Sequence, residues 1–502
     1  MSVKRYDPKN WRQVSQRQRM SPFPNYMSME SVCKEMRDFV GVSIKNFLLI
    51  FEGNVFAGFQ GMVDYQHKGR AIADLVHKNP KLYSYLSQQE NRYGKKLVNF
   101  AKRANRAVKP GLTDRALYQL FVNYEKYYKL VYASYGSVWT MEEFLFSDLL
   151  AIVQKRLPDA VKAVDVLNAL TKQPSAMVAS IERMALLRLA LAVSGNTKWA
   201  ELLKVGDVVA IKVEPNLEKL ISQHVKQYFW LTRDYEDPVL TFEKIIERLD
   251  VMLKTDVKTE LQTMSNELRN TEIERKRWIK ELKLNKKEIA LFAAMRDAAH
   301  LKELRKRFVS ESLYYFDKVL EEIGRRTYLS IKQVRFMRTK DVKEALLAGK
   351  DFTEELNARL RLSVWIAGDK GTRVITGEAA KQLQQAFCQA DKNAKEFIGM
   401  PVSPGVARGP ARIIMNPDEC DKVKKGDIIV TVQVVPSFST AIIKSAGIVC
   451  DGGHGVTSHP ATLAREAKIP CVIQTRFARE VLKDGDMIEV DGYKGVVKKL
   501  NN

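Results

Sequence analysis

From Val239 to Met400 the chain runs 162 residues without a proline. Proline inside a helix removes a hydrogen bond and clashes with the preceding turn, so a run of that length without one is what long helices require. Past Met400 the pattern inverts: the last 102 residues hold seven of the 16 prolines, and 11 of the 26 glycines fall between Gly399 and Asn502. These residues punctuate turns. The expected fold class is therefore multidomain, α and α/β: a large, mostly helical region over 1–390, a linker over 391–396 and a compact α/β domain over 397–502.

Periodicity supports the helical half. Val257, Leu261, Met264 and Leu268 are spaced four, three and four, and Leu301, Leu304, Phe308, Tyr315, Val319 and Ile323 follow the same rule. Such a stripe, with Lys, Arg and Glu on the other faces, is an amphipathic helix. One or two long helices packed as a hairpin are expected over 255–325. Shorter helical segments are expected at Ser28–Phe51, Arg70–Arg106, Asp114–Tyr135, Met141–Gln154 and Pro174–Val193. A strand pair at Leu362–Ile366 and Arg373–Ile375 flanks the turn-forming Gly368-Asp369-Lys370-Gly371. In the last domain, β-rich runs at Ala411–Met415, Asp427–Val432, Ile448–Cys450, Cys471–Gln474, Met487–Val490 and Gly495–Lys498 surround helical Thr440–Ser445 and Ala461–Ala467. Alternation of this kind reads as α/β.

At 502 residues, 45% hydrophobic and 28% charged, the composition is that of a globular protein. The five cysteines form no CxxC and pair with no histidine, which argues against a disulfide framework or a structural zinc and for a reducing compartment. Met1–Asn10 is charged, and no apolar window of about 18 residues occurs, so neither a signal peptide nor a membrane span is expected. A cytoplasmic location follows as the expectation. The net charge is +23, yet residues 395–502 carry 15 Lys+Arg against 12 Asp+Glu. The excess thus belongs to the helical region, including Lys4, Arg5, Lys9, Arg12, Arg17 and Arg19. Such charge attracts phosphate backbones without reading sequence. No nucleic-acid module accompanies it, and nucleic-acid binding stands as a rival reading rather than the favoured one.

The chemistry concentrates in Asp451-Gly-Gly-His-Gly-Val-Thr-Ser-His459-Pro-Ala-Thr-Leu-Ala-Arg465-Glu. A strand enters a glycine-rich turn, and a helix begins near Pro460, where proline is tolerated. His459 is then at a helix N-terminus, where unpaired N–H groups and the dipole favour an anion. Thr457 and Ser458 offer hydroxyls; Arg465, about two turns on, adds charge. Zinc would need more ligands than six histidines in this spacing supply, and a Ser-His-Asp triad lacks its nucleophile elbow. A phosphoryl acceptor fits better: the neutral imidazole attacks phosphorus, and N–H groups and hydroxyls hold the dianion that forms. The alternative is that the glycines only make a tight turn and His459 caps the helix.

Together with Gly399-Met-Pro-Val-Ser-Pro-Gly405, Lys425-Gly-Asp-Ile-Ile-Val-Thr431, Ile469-Pro-Cys-Val and Gly485-Asp-Met-Ile-Glu-Val-Asp-Gly492, this segment resembles the phosphohistidine swivelling (mobile) domain of the PEP-utilising enzymes. That family includes phosphoenolpyruvate synthase, pyruvate phosphate dikinase, phosphotransferase-system enzyme I and rifampicin phosphotransferase. The resemblance implies that His459 is transiently phosphorylated, with Gly455, Thr457 and Ser458 stabilising the phosphate and Arg465 balancing its charge. The loop departs from the family pattern: His454 stands where the first of two glycines is usual, Gly455 takes the second, and Pro460 replaces a frequent alanine. Neither an ATP-grasp loop nor a Walker A sequence is found, and a PEP-binding barrel has no room in the sequence. The resemblance therefore implies a phosphotransferase component with no cofactor of its own. ATP and Mg²⁺ would sit on a separate ATP-grasp partner, and a small-molecule acceptor would be held by the helical region. Trp11, Tyr228-Phe-Trp-Leu231, Arg233-Asp-Tyr-Glu-Asp-Pro238 and the stretch from Arg296 to Arg326 loosely resemble an acceptor domain, or are core aromatics in a bundle. A swivelling domain turned non-catalytic binding module is the remaining rival.

Overall fold

The computed structural model describes residues 6–18, 20–53, 55–157, 160–173, 178–233, 235–388, 392–434, 438–453 and 458–500. Its larger part is helical, as the missing prolines require, but it is built around a five-stranded antiparallel sheet. The strands are β1 (Trp11–Gln18), β2 (Asn46–Glu52), β3 (Val55–Gly61), β4 (Leu362–Gly368) and β5 (Gly371–Ile375), in the order β1-β3-β2-β4-β5. The pair β4–β5 closes on Gly368 opposite Gly371, as the turn residues indicate. Strand β2 corrects the helical expectation for 28–51. There the chain forms the helices Pro22–Cys33 and Arg37–Val40 and then turns into β2. The reason is burial on both faces. Phe47, Leu49 and Phe51 enter the main core, while Leu48 and Ile50 enter a second core with Ala380, Leu383 and Phe387 of the helix Gly377–Cys388. An apolar run covered on both sides has no visible period, so sequence alone does not separate it from a buried helix.

The expected helices over 70–106 and 114–135 are present as Met62–Lys78, Leu82–Ala107 and Asp114–Tyr135, and those over 141–154 and 174–193 as Ser137–Gln154 and Val178–Ser194. Residues 174–177 lie outside the described residues. The long helices are Val257–Glu281 and Lys286–Thr327, divided by a turn with Lys283 at positive φ and an Asn285–Glu288 capping box. They are not a self-packed hairpin. The second lies along Leu82–Ala107, while the first packs on Ala160–Thr171 and Val178–Ser194. Gly94 permits the closer contact: a Cβ there would stand 2.0 Å from Phe308 Cδ2. Helices from 178 to 264 enclose a separate apolar core that includes Leu187, Ile221, Tyr228 and Leu249.

The C-terminal domain is a mixed eight-stranded sheet. Its strands are β6 (Glu396–Ile398), β7 (Met400–Ser403), β8 (Val406–Ile413), β9 (Ile428–Thr431), β10 (Gly447–Cys450), β11 (Cys471–Ile473), β12 (Met487–Asp491) and β13 (Val496–Lys499), in the order β6-β13-β12-β8-β9-β10-β11-β7. The run β8-β9-β10-β11 is parallel and the rest antiparallel. Helices Ser439–Lys444 and His459–Glu466 cover one face. The expected linker, 391–396, runs at its far end into the sheet. Phe387 is buried in the helical region, Lys395 already accepts a hydrogen bond from the Lys499 amide, and Glu396 begins β6. Residues 389–391 lie outside the described residues.

The two parts touch along β1. Arg12 Nη2 donates to Gln474 Oε1 at 3.2 Å, and Arg476 Nε donates to Gln13 Oε1 at 3.2 Å. Phe146 of the helix Ser137–Gln154 packs on the core beneath the helix His459–Glu466. No helix among the described residues is long and apolar enough to cross a membrane.

Candidate functional site

β10 ends at Cys450, and its parallel neighbours β9 and β11 end beside it. In open α/β sheets the crevice at the carboxyl ends of parallel strands is the usual ligand position. Here the chain leaves β10 through Asp451, Gly452 and Gly453 and enters the helix His459–Glu466, with Ser458 as its N-cap residue and Pro460 in the first turn. The helix thus starts where the sequence placed it, with His459 as its first residue. Ser458 Oγ caps nothing: it is buried and has no hydrogen-bond partner among the described residues. A buried hydroxyl left unpaired costs on the order of 1–3 kcal/mol, so a ligand oxygen there would recover it. Gly455 and Thr457, predicted to hold phosphate, fall outside the described residues, as do His454 and the side chain of His459.

The first part of the loop is firmly anchored. Asp451 is buried and accepts from Thr475 Oγ1 (2.7 Å), Ala478 N (2.8 Å) and Arg479 N (3.0 Å). Burial pushes its carboxyl up to about 6, against the pull of those donors. Gly452 is wedged between carbonyls; a Cβ would meet Val432 O at 2.6 Å and Gln16 O at 2.8 Å. Gly453, at φ +110, needs the freedom only glycine has. Gln474 ties it down through its backbone amide to Gly452 O (3.0 Å) and its Nε2 to Gly453 O (3.2 Å).

Arg465 lies in the last turn of the helix, about 9 Å along the axis from His459. It is half-buried, its Nη1 donates to Val402 O at 3.3 Å, and burial holds its guanidinium down to about 10, with Cys471 and Glu142 acting the other way. It is thereby engaged at the seam with the helical region. Glu142 itself is buried and pairs with Lys302 at 2.6 Å. The aromatic stretch singled out for an acceptor role is packed: Trp230 Nε1 donates to Gln227 O, Tyr228 sits in an apolar core, and Tyr235 OH bonds Tyr132 OH at 2.8 Å.

Sequence reasoning missed the residues of the helical region that gather beside Gln474. Arg12 lies 4.3 Å over the Tyr65 ring and pairs with Glu143 at 2.7 Å, while Tyr65 OH donates to Glu143 at 2.9 Å. With Val14, Trp139, Glu142, Met400 and Gln474 these line a crevice between the two parts. Only the basic character of the N-terminal arm was visible in advance.

Comparison with known proteins finds relatives of the C-terminal domain. The family model "PEP-utilising enzyme, mobile domain" matches residues 423–495. A probable phosphoenolpyruvate synthase of Methanothermobacter thermautotrophicus is 36% identical over 135 residues, 26% of this chain and 20% of that protein. The phosphoenolpyruvate synthase of Pyrococcus furiosus is 45% identical over 132 residues, 25% of this chain and 15% of that protein. The chain thus spans a fifth or less of the length of these relatives. An NMR solution structure of Enzyme I covers 72% of this chain and 82% of its own at 14% identity, with a TM-score of 0.16 that carries no argument about the fold. The resemblance read from the motifs holds over residues 423–495: the C-terminal domain is matched to the PEP-utilising enzymes through their mobile domain.

Proposed function

We propose that this protein is a phosphotransferase component that carries a phosphoryl group on His459. The observation that carries the reading is the loop between β10 and the helix His459–Glu466. It lies within the mobile-domain match, begins the helix at His459, and leaves the Ser458 hydroxyl buried with no partner among the described residues. The imidazole nitrogen attacks the donor's terminal phosphorus, the donor's P–O bond breaks, and helix N–H groups, Ser458, Thr457 and Gly455 hold the dianion. Arg465 adds positive charge at the far end of the helix. The second half of a ping-pong cycle breaks the P–N bond to an acceptor presented by the helical region. The donor is ATP with Mg²⁺ on a separate ATP-grasp subunit, and the α/β domain swings between the two stations on the connection after Phe387. The names and the matched domain of the relatives support the chemistry; the partner and acceptor rest on the motif reading.

The test uses terminally labelled Mg-ATP, clarified extract of the native cells, and the full chain or its His459→Ala variant. Acid-labile, base-stable label on the wild type alone is the predicted result. Equal labelling of both, or of neither, overturns the reading.

A further inference from the structure

The basic excess of the helical region has an open face, and it is not on the N-terminal arm. There Arg12 pairs with Glu143 and Arg17 lies over the Tyr235 ring, so both are occupied within the fold. The helix Leu82–Ala107 differs. Its 26 residues carry Arg92, Lys95, Lys96, Lys102, Arg103 and Arg106 against one acid, Glu90, which is buried. The helix Val257–Glu281 shows the usual solvated arrangement at nearly the same length. On it, Lys276 and Arg277 pair with Glu272, Glu274 and Glu281 one turn away.

At about 100° per residue, the N-cap Lys81 and Arg92, Lys95, Lys96, Arg103 and Arg106 fall within about 60° of one line along the helix. All six are exposed, and none of their side chains has a carboxylate partner among the described residues. Arg92 and Lys96 flank the Tyr93 ring at 5.8 and 5.9 Å. The stripe is about 38 Å long. Leu86, Leu97 and Ala101 on the other side of the helix are in the main core, which fixes the stripe outward. Tyr85, 48% exposed, and the amides of Gln88 and Asn99 stand on the same line between the cations.

A membrane surface would need apolar side chains to enter it, and beyond Tyr85 the stripe offers none. A folded acidic protein presents scattered charges. One sign unbroken over about 38 Å matches a polymer with a charge at every repeat, and an exposed ring beside amide groups suits its bases. We propose that the outer face of the helix Leu82–Ala107 binds a nucleic-acid strand, its cations neutralising phosphates and Tyr85 stacking on a base. This surface belongs to the helical region and is independent of the carrier reading of His459.

The experiment measures binding of the full chain to labelled single-stranded RNA and DNA of about 20 nucleotides, and to the corresponding duplexes, between about 50 and 200 mM salt. Wild type should bind with an affinity that falls steeply as salt rises. The combined variant Arg92→Gln, Lys96→Gln, Arg103→Gln, Arg106→Gln should bind single strands about 10²-fold more weakly at the lower salt, with a log–log salt slope smaller by about 3. Its circular dichroism and melting temperature should match wild type, because all four side chains are exposed. A control with Lys258→Gln, Lys276→Gln, Arg277→Gln and Lys280→Gln removes the same charge from the helix Val257–Glu281 and should bind nearly as tightly as wild type. Tyr85→Ala should weaken single-strand binding about tenfold and leave the slope unchanged. No binding by wild type, an unchanged slope in the first variant, or an equal loss in the control would overturn the inference. So would preferential binding of phosphatidylserine vesicles or polyglutamate over nucleic acid. None of these outcomes touches the role of His459.

Discussion

Glu90 shows how one buried side chain sets a measurable property of the helical region. Its carboxyl is buried and accepts a hydrogen bond from Ser134 Oγ, while its Oε1 has no partner among the described residues. Burial pushes it up to about 8, partly offset by Ser134 and Arg305. For an acid raised on folding, stability is fully present below the unfolded carboxyl range and is lost as pH rises toward the folded value, because the unfolded chain ionises first. The loss between about pH 4 and pH 8 is on the order of 4–5 kcal/mol. Glu90→Gln keeps an acceptor for Ser134 and cannot ionise, so its stability relative to wild type should improve steadily from pH 5 to pH 8 in denaturant melts. A constant difference across that range would contradict the assignment. Ser458 is the corresponding residue at the site. Ser458→Ala removes a buried hydroxyl that has no partner among the described residues, so it should stabilise the fold by about 1–3 kcal/mol while lowering the steady level of acid-labile phosphate. Equal phosphate in the variant would remove Ser458 from the site.

At the scale of elements, Gly94 poses two effects of opposite sign. Helix propensity alone would make Gly94→Ala stabilising by about 1 kcal/mol. The overlap with Phe308, where the new Cβ would lie 2.0 Å from the ring, costs about 1–3 kcal/mol unless the helices part. The overlap should win, and a denaturant midpoint below wild type is the expected result. How far the elements could be read from sequence depended on whether one face was left wet. The helices Asp114–Tyr135 and Lys286–Thr327 have a polar face and a clear period. β2 has neither, being lined on both sides, and its five-residue apolar core reads equally as helix. β1 (Trp11–Gln18, WRQVSQRQ) is nearly all polar, and it forms because its partner β3 supplies the apolar side. At the site, glycines, Pro460 and His459 were legible because turn and helix-start chemistry is local. Arg12, Tyr65, Trp139 and Glu143 were not, because only the docking of two distant segments brings them to Gln474.

On the scale of the whole molecule, the α/β domain is seated by the packing of Phe146 on its core and by polar contacts that water can replace. Arg12 reaches Gln474, Arg476 reaches Gln13 and Phe387 O, and Gly452 lies against the Gln16 carbonyl. Lys172 and Glu267 of the helical region act electrostatically on Glu466. An interface held in this way is suited to opening and closing. Arg12→Ala and Gly452→Ala should each shift the chain toward an undocked form, the second because a methyl group cannot fit between two carbonyls. Small-angle X-ray scattering should show a larger radius of gyration for both variants than for wild type, with the wild type moving the same way at high salt as charges are screened. An unchanged radius in both variants would mean that the seam is rigid and that the domain does not swing.

The most direct test of the central claim is to locate the phosphate. The full chain, purified from its native cells under alkaline conditions, would be digested and fragmented by electron-based mass spectrometry without acid treatment. The account predicts one phosphoryl group on the imidazole of His459, lost on brief acid exposure and absent from His459→Ala. Phosphate found on another residue, or retained through acid, would contradict it.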